Sequence, residues 1–214
     1  MSVIASVLHL DRKAIKALHI TDPYSLHRVV YSLYEDVRSA EAKSAGQSSG
    51  ILFADQGGDF SGRRILLLAD RAPANCIDGQ FGQVQSKPIP EGFLDHAQYR
   101  FSVIVNPTRR DNASRKLVPV KGNAAIAQWF CERASQSWGF QVSTPHLQVD
   151  RVEVLQFKDK QQNPVTLAQA HLQGQFCITD REQFRNSFVQ GIGRGRAFGC
   201  GLLQIAPLLD TAFA

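Results

Sequence analysis

Hydrophobic and polar residues alternate along many short segments of this chain, which is the pattern of half-buried β-strands. The alternation is clearest over residues 99–106, and it stops at Pro107, a residue that cannot donate to a sheet ladder. The same pattern, bounded by turn-forming residues, predicts further strands over residues 2–10, 51–54, 64–69, 80–89, 117–120, 140–142, 147–157, 165–178 and 202–206.

Three other segments have the residue pattern of α-helices, predicted over residues 23–38, 122–138 and 180–190. The first is the clearest, because Asp22 and Pro23 are typical of a helix start. Its apolar stripe consists of Leu26, Val29, Val30, Leu33 and Val37. Strands and helices mix in both halves of the chain, which predicts an α+β fold with two domains, residues 1–92 and 93–214.

Composition and charge narrow the class of protein. With 214 residues and 43% hydrophobic content, the chain can build a full core. The net charge is +5, and basic residues most clearly outnumber acidic ones in residues 106–121 and 181–196, which suits a polyanionic partner such as nucleic acid. The four cysteines have no CxxC spacing, which argues against a zinc site. No apolar run approaches the length of a membrane span, so we expect a cytoplasmic protein with no membrane partner.

Residues 191–207 (GIGRGRAFGCGLLQIAP) interleave glycine with arginine and then continue into an apolar run. Such a loop can present backbone N–H groups beside cations, and Gly193, Arg194, Gly195 and Arg196 are therefore candidates for binding phosphate. The loop follows a predicted helix and precedes a strand, the reverse of nucleotide-binding glycine loops. Its spacing also departs from GxGxxG, and the chain has no GxxxxGK[ST], so no NAD, ATP or other cofactor is predicted.

The helix over residues 23–38 carries a second, aromatic stripe that contains a histidine. Tyr24 and His27 lie three residues apart and share a face, together with Tyr31, Tyr34 and Arg38. Histidine suits proton transfer near neutral pH, and the helix N-terminus favours a nearby phosphate. The same stripe could simply pack against a neighbouring loop, and the helix by itself leaves both interpretations open.

Three segments together resemble one known family: residues 22–28 (DPYSLHR), residues 100–107 (RFSVIVNP) and the glycine-rich segment ending in Gly201, Leu202 and Leu203. They look like the type I-E CRISPR-associated endoribonucleases, the CasE or Cse-type family of the repeat-associated RNA-binding superfamily. The resemblance follows the order of elements along the whole chain. It is specific in these three segments, whereas residues 40–95 match in length and strand content only.

The resemblance implies two tandem ferredoxin-like (βαββαβ) domains, the second carrying a basic hairpin and the glycine-rich loop. It also implies metal-independent cleavage of precursor CRISPR RNA within the repeat, beside a stem-loop. The 2′-OH would attack the scissile phosphate and leave 2′,3′-cyclic phosphate and 5′-OH ends. The family commonly stays on the product hairpin as a subunit of the Cascade surveillance complex, which makes repeat RNA and other Cascade subunits the expected partners.

The family pattern places a catalytic tyrosine at the spacing of Tyr24 from His27, and whether His27 acts as acid or base stays open. Arg28 follows on the same helix as a candidate RNA contact. The remaining candidates for RNA binding are the basic cluster Arg109, Arg110, Arg115 and Lys116, and Lys158 and Lys160, which are carried over by their position at a hairpin tip. Two other functions remain open: a non-catalytic RNA-binding subunit, and a small-molecule enzyme without salt-dependent RNA affinity.

Overall fold

The structure of the protein is a computed structural model that describes residues 3–45 and 47–208. The first unit of the chain consists of β1 (Ile4–Asp11), α1 (Arg12–Ala17), α2 (Pro23–Ser32), α3 (Ala40–Ser44), β2 (Ile51–Gly58), β3 (Gly62–Ala69) and β4 (Gln83–Pro88). The second consists of β5 (Gln98–Val105), β6 (Thr108–Arg110), β7 (Leu117–Pro119), α4 (Asn123–Arg133), β8 (Phe140–Val142), β9 (Gln148–Lys158), β10 (Pro164–Ile178), α5 (Arg181–Gln190) and β11 (Gln204–Pro207).

Each unit contains one antiparallel sheet with the strand order of a ferredoxin-like fold. The first sheet has the order β2-β3-β1-β4 and the second β11-β5-β10-β8. In the second unit, α4 and α5 occupy both helical crossovers of the βαββαβ pattern. In the first, the crossover over residues 70–82 contains no helix. The prediction of an α+β fold with two tandem ferredoxin-like units is confirmed, and the domain boundary between residues 92 and 93 stays a prediction.

Strand β9 lengthens one edge of the second sheet. It pairs with β10 from Pro164 to Gln173, whereas β5 pairs with β10 only from Ala170 onward. The β9–β10 hairpin therefore extends past the end of β5, with its turn at residues 159–163. A second hairpin, formed by β6 and β7, is a separate two-stranded sheet.

Helix α2 begins where the sequence predicts. The Asp22 carboxylate accepts a 2.7 Å hydrogen bond from the Ser25 amide, and the Ser25 hydroxyl accepts one of 3.0 Å from the Asp22 amide. This reciprocal pair is a capping box, with Pro23 at the first helical position. The start of α2 is thus fixed by residues within one turn of one another.

The predicted end of α2 at Arg38 is wrong, because the helix ends at Ser32. The carbonyl oxygen of Leu33 accepts a 2.7 Å bond from the Ala74 amide, and that of Glu35 accepts one of 3.0 Å from Arg71 Nε. Residues from the crossover after β3 thus take the acceptors that further helical turns would use. Val37, expected on the buried stripe, is 67% exposed. Two short helices, α1 and α3, were not predicted, and residue 2, the predicted start of the first strand, lies outside the described residues.

The protein has two hydrophobic cores, one within the first unit and one that contains residues of both units. The apolar face of α2 packs against the first sheet, with Leu26, Val29 and Val30 buried. Leu52 and Leu68, on the first sheet, instead belong to the core of the second unit. The two units approach each other closely at Gly199, where a Cβ atom would lie 3.2 Å from the Phe53 ring. This packing places α2 beside the segment that follows α5.

Candidate active site

The half-buried side chain of His27 lies between α2 and the glycine loop, which we define as residues 191–201. Its Nδ1 atom is 2.8 Å from the carbonyl oxygen of Ala197. A carbonyl oxygen can only accept, so Nδ1 carries the hydrogen and donates it. In the neutral imidazole, Nε2 then holds a free lone pair and can act as a base.

The environment of His27 favours that neutral form. Burial lowers the pKa of His27 below its ordinary value, and the hydrogen bond to the Ala197 carbonyl opposes this shift with a smaller effect. At neutral pH the side chain is therefore ready to accept a proton.

Three aromatic rings surround the imidazole. The ring centroid of Tyr31 is 4.0 Å from that of His27, Phe198 is at 5.8 Å, and Tyr24 is at 6.2 Å with an interplanar angle of 23°. Tyr24, at i−3 on α2, shares the face of His27 as predicted. The tyrosines differ in what their hydroxyls contact: that of Tyr31 lies 3.0 Å from Ser49 Oγ, whereas that of Tyr24 has no hydrogen-bond partner among residues 3–45 and 47–208.

The glycine loop requires glycine at some positions and not at others. Gly201 has a φ of +87°, and a Cβ atom there would lie 2.3 Å from the Ile192 carbonyl oxygen. Its amide donates a 2.7 Å bond to the Ile104 carbonyl oxygen of β5. Gly193 also has a positive φ, but a Cβ atom there would meet nothing within 4 Å. Gly201 therefore holds the loop against the sheet, while Gly193 lies at its open side.

The three segments that carry the sequence resemblance meet at this loop. Residues 22–28 contribute His27, which binds Ala197. Residues 100–107 contribute Ile104, which binds Gly201, and Asn106, which forms an isolated antiparallel bridge with Arg194. The N-terminal histidine and the C-terminal loop, 170 residues apart in the sequence, are therefore in direct contact.

The two arginines of the loop occupy different environments. Arg194 is exposed, as an RNA contact would require. Arg196 is half-buried, and its Nη1 atom donates a 2.7 Å hydrogen bond to the carbonyl oxygen of Gln190, the last residue of α5. Arg196 therefore stabilises the end of α5, an arrangement that the sequence did not reveal.

The other predicted RNA contacts are exposed on helix α2 and on two hairpins: Arg28, then Arg109, Arg110, Arg115 and Lys116 around β6–β7, and Lys158 and Lys160 at the tip of β9–β10. The β6–β7 hairpin is fixed at its base, because Trp129 Nε1 donates a 3.1 Å bond to the Thr108 carbonyl oxygen. The β9–β10 hairpin contacts the active site through Phe157, whose ring centroid lies 4.8 Å from that of Phe198. Lys158 follows Phe157 directly.

Two further features concern metal binding and membrane insertion. Residues 3–45 and 47–208 contain no cluster of three or more side chains that could hold a metal ion. In the same residues, no helix is long and apolar enough to cross a membrane.

Fold and site together define a tandem ferredoxin-like protein in which a C-terminal glycine loop orients a histidine from the first unit. The model of a family described as "CRISPR associated protein" matches residues 5–207, so the chain belongs to that family. The predicted resemblance to the type I-E CRISPR endoribonucleases is confirmed.

Relatives of known structure or name support the assignment. Over 143 residues the chain is 30% identical to the CRISPR-associated endoribonuclease Cse3 of Thermus thermophilus, a match that covers 62% of this chain and 67% of the relative. A solved structure of Thermus thermophilus Cse3, bound to an RNA representing a pre-cleavage complex, aligns with a TM-score of 0.78 and 21% identity over 97% of this chain and all of that one. A chain from a CRISPR RNA-guided surveillance complex aligns with a TM-score of 0.69 and 19% identity over 96% of this chain and all of that one. At these identities, the structural likenesses concern the fold.

Proposed function

We propose that the protein is a metal-independent endoribonuclease that cleaves precursor CRISPR RNA within the repeat, beside a stem-loop. One observation carries the catalytic assignment: His27 donates from Nδ1 to Ala197 and so presents an unprotonated Nε2. The Thermus thermophilus relative is named as an endoribonuclease, which supports RNA cleavage as the class of reaction. Its solved complex with RNA supports the substrate class.

The reaction needs a base, a nucleophile and stabilisation of the phosphorane. In the proposed mechanism, His27 Nε2 removes the proton of the 2′-OH next to the scissile phosphate. The 2′-oxygen then attacks phosphorus, and the 5′-oxygen of the following nucleotide leaves and takes up a proton. The products are a 2′,3′-cyclic phosphate and a 5′-OH end. Tyr24, with its hydroxyl unpaired among the described residues, donates a hydrogen bond to the phosphate as charge develops there.

The basic surface holds the RNA stem on either side of this centre. A-form RNA hides its base edges in a deep, narrow major groove, so proteins bind its phosphates and its shape. Exposed Lys158 and Lys160 extend from the hairpin that contacts Phe198, and exposed Arg194 supplies a cation for a phosphate at the open side of the loop. Arg28 and the β6–β7 hairpin add further cations. Arg196 contributes less, because its guanidinium already binds the end of α5.

After cleavage the protein stays on the product hairpin and joins a surveillance complex with other Cascade subunits. The fold shared with a chain of a CRISPR RNA-guided surveillance complex supports this proposal. We propose the cytoplasm as the location, because the protein would encounter both the precursor RNA and such a complex there.

The decisive experiment is cleavage of a labelled repeat hairpin in excess EDTA by the intact protein and by His27→Ala. We expect the intact protein to cleave at one position and His27→Ala to lose cleavage while its Kd for RNA stays within about twofold, since truncation of a partly buried neutral ring removes no phosphate contact. His9→Ala, an exposed histidine on β1, is the matched control and should cleave normally.

A substrate with 2′-deoxyribose at the nucleotide before the cut provides a second test of the same chemistry. It should bind and remain intact, because it lacks the nucleophile. A strict requirement for Mg²⁺, or full cleavage by His27→Ala, would overturn the proposal. Tight hairpin binding without product at any pH would instead identify a non-catalytic RNA-binding subunit.

A further inference from the structure

We infer that Tyr31 is a positioning residue for His27: its ring holds the imidazole in the orientation that directs Nε2 toward the RNA. The inference rests on the proposed ribonuclease function, which it deepens at the same site. Tyr31 lies one turn after His27 on α2 and shares its face of the helix.

The rings of Tyr31 and His27 are in direct contact. At 4.0 Å between centroids and a tilt of 42°, the Tyr31 ring covers one face of the imidazole at van der Waals distance. The hydrogen bond to Ala197 fixes only one edge of the His27 ring. A half turn about the Cβ–Cγ bond would move Nδ1 away from the Ala197 oxygen and point Nε2 elsewhere. A ring packed against the face of the imidazole opposes that rotation.

Tyr31 is itself held in place by the segment before β2. Its hydroxyl lies 3.0 Å from Ser49 Oγ, and the same Oγ accepts a bond of 3.3 Å from the amide of Ile51, the first residue of β2. The Ser49 carbonyl oxygen accepts a 3.1 Å bond from Arg71 Nη1. Tyr31 therefore connects the histidine to the first sheet. Ala197 connects it to the second unit, so His27 is supported from both sides.

The two tyrosines that flank His27 have different surroundings. The Tyr31 hydroxyl already has a hydrogen-bond partner within the protein, Ser49 Oγ at 3.0 Å. The Tyr24 ring is farther from the imidazole, at 6.2 Å, and its hydroxyl is free of partners within residues 3–45 and 47–208. Tyr24 is therefore suited to touch the substrate and Tyr31 to support the base.

The contact also governs protonation of the histidine. The aromatic rings nearest the imidazole are those of Tyr24 and Tyr31 from α2 and Phe198 from the loop, and its hydrogen-bond partner is the Ala197 carbonyl. The charged groups of these two elements are Arg28 on α2 and Arg194 and Arg196 in the loop. Burial is the larger cause of the lowered pKa of His27. Removal of the Tyr31 ring would admit water and move that pKa back up toward its ordinary value.

The test compares Tyr31→Ala and Tyr31→Phe with the intact protein by three measurements. These are the single-turnover cleavage rate, the Kd for repeat RNA, and the pH titration of His27 by NMR of ¹⁵N-histidine-labelled protein, assigned with His27→Ala. For Tyr31→Ala we expect a rate loss of about 100-fold, the size that a misplaced catalytic group can cause, with Kd unchanged. Its His27 midpoint should rise, and the fraction of the Nδ1–H tautomer should fall.

Tyr31→Phe keeps the ring and should restore most of the rate, which a role of the hydroxyl in catalysis would not allow. Val29→Ala is the stability control, because Val29 is buried and, two residues after His27, lies on the opposite side of α2. It should weaken the fold and leave the rate and the His27 titration unchanged at a temperature where it is folded. If Tyr31→Ala does not fold, Tyr31→Leu replaces it, since leucine keeps the apolar volume without the flat ring.

A wild-type cleavage rate together with an unchanged His27 titration in the truncated variant would overturn the inference. The NMR readout needs no cleavage. If no form of the protein cut RNA, the proposed function would fail, and the tautomer and titration of His27 would still decide whether Tyr31 positions it.

Discussion

The imidazole of His27 donates a hydrogen bond of 2.8 Å to the carbonyl oxygen of Ala197, and this one contact joins the first helix of the site to the last loop. It selects the tautomer of the histidine and leaves Nε2 as the nitrogen that would face the RNA in the proposed mechanism. Burial of the same ring lowers its pKa. The protein thus keeps a neutral histidine in a fixed orientation beside a positively charged surface.

The pH dependence of cleavage should follow the titration of His27. If Nε2 is the base, only the neutral form is active, and the rate rises as pH increases through the folded pKa. Because that pKa lies below the ordinary value of about 6.5, the rising limb should have its midpoint below about pH 6.5 and level off near neutrality. Single-turnover rates at saturating RNA from about pH 4.5 to about pH 8 would measure this limb. A rate that falls over the same range would show that His27 acts as the acid.

The hydroxyl of Tyr24 should matter for rate and not for folding. Tyr24→Phe removes a donor that has no partner in the described residues, so the melting temperature should stay within about 2 °C. The cleavage rate should fall by about 100-fold, the usual effect of losing one hydrogen-bond donor to the transition state. Single-turnover kinetics with thermal unfolding in parallel would separate the two effects. An unchanged rate would leave Tyr24 as a packing residue, the alternative that the sequence pattern left open.

The two loop arginines should respond differently to substitution. Exposed Arg194→Ala should weaken RNA binding and reduce the slope of log K against log salt by about 1, with no loss of stability. Arg196→Ala should lower the free energy of unfolding by about 1 kcal/mol, because it removes the bond to the Gln190 carbonyl oxygen. Fluorescence anisotropy over a salt series and denaturant unfolding of each variant test this pair. Equal salt slopes for the two variants would contradict the division of roles.

What the sequence predicts here depends on how local the determining contacts are. The start of α2 was predictable, because Asp22, Pro23 and Ser25 form the capping box within one turn. Its end was not, because Ala74 and Arg71 take the acceptors at Leu33 and Glu35. Strands β5, β9 and β10 followed from alternation, since one face of each contributes to a core.

In the candidate site, too, features set by neighbouring residues could be predicted and contacts with distant residues could not. The spacing of Tyr24 and His27 places both residues on one face of a helix, so the sequence alone groups them. The functions of Tyr31 and Arg196 depend on partners that the pattern does not show: Ser49 lies 18 residues from Tyr31, and the Gln190 carbonyl is a backbone group. The contact of His27 with Ala197 required the packing of two sheets, which no local pattern encodes.

Alanine at Gly201 should damage both the fold and the site, whereas alanine at Gly193 should not. Both glycines have a positive φ, which costs an L-residue about 1–2 kcal/mol. Only at Gly201 does the new Cβ atom also collide with a backbone atom, the Ile192 oxygen at 2.3 Å. The loop must shift to relieve this collision, and the Ala197 carbonyl that orients His27 shifts with it.

We therefore expect Gly201→Ala to lower the melting temperature by more than about 5 °C and Gly193→Ala by about half as much. Cleavage by Gly201→Ala should fall even at temperatures where it is folded, and the His27 tautomer measured by NMR should become mixed. Gly193→Ala should retain the Nδ1–H tautomer and the cleavage rate, because the new Cβ atom would meet nothing within 4 Å. A Gly201→Ala variant that kept a single tautomer and full cleavage would show that the loop does not control the histidine.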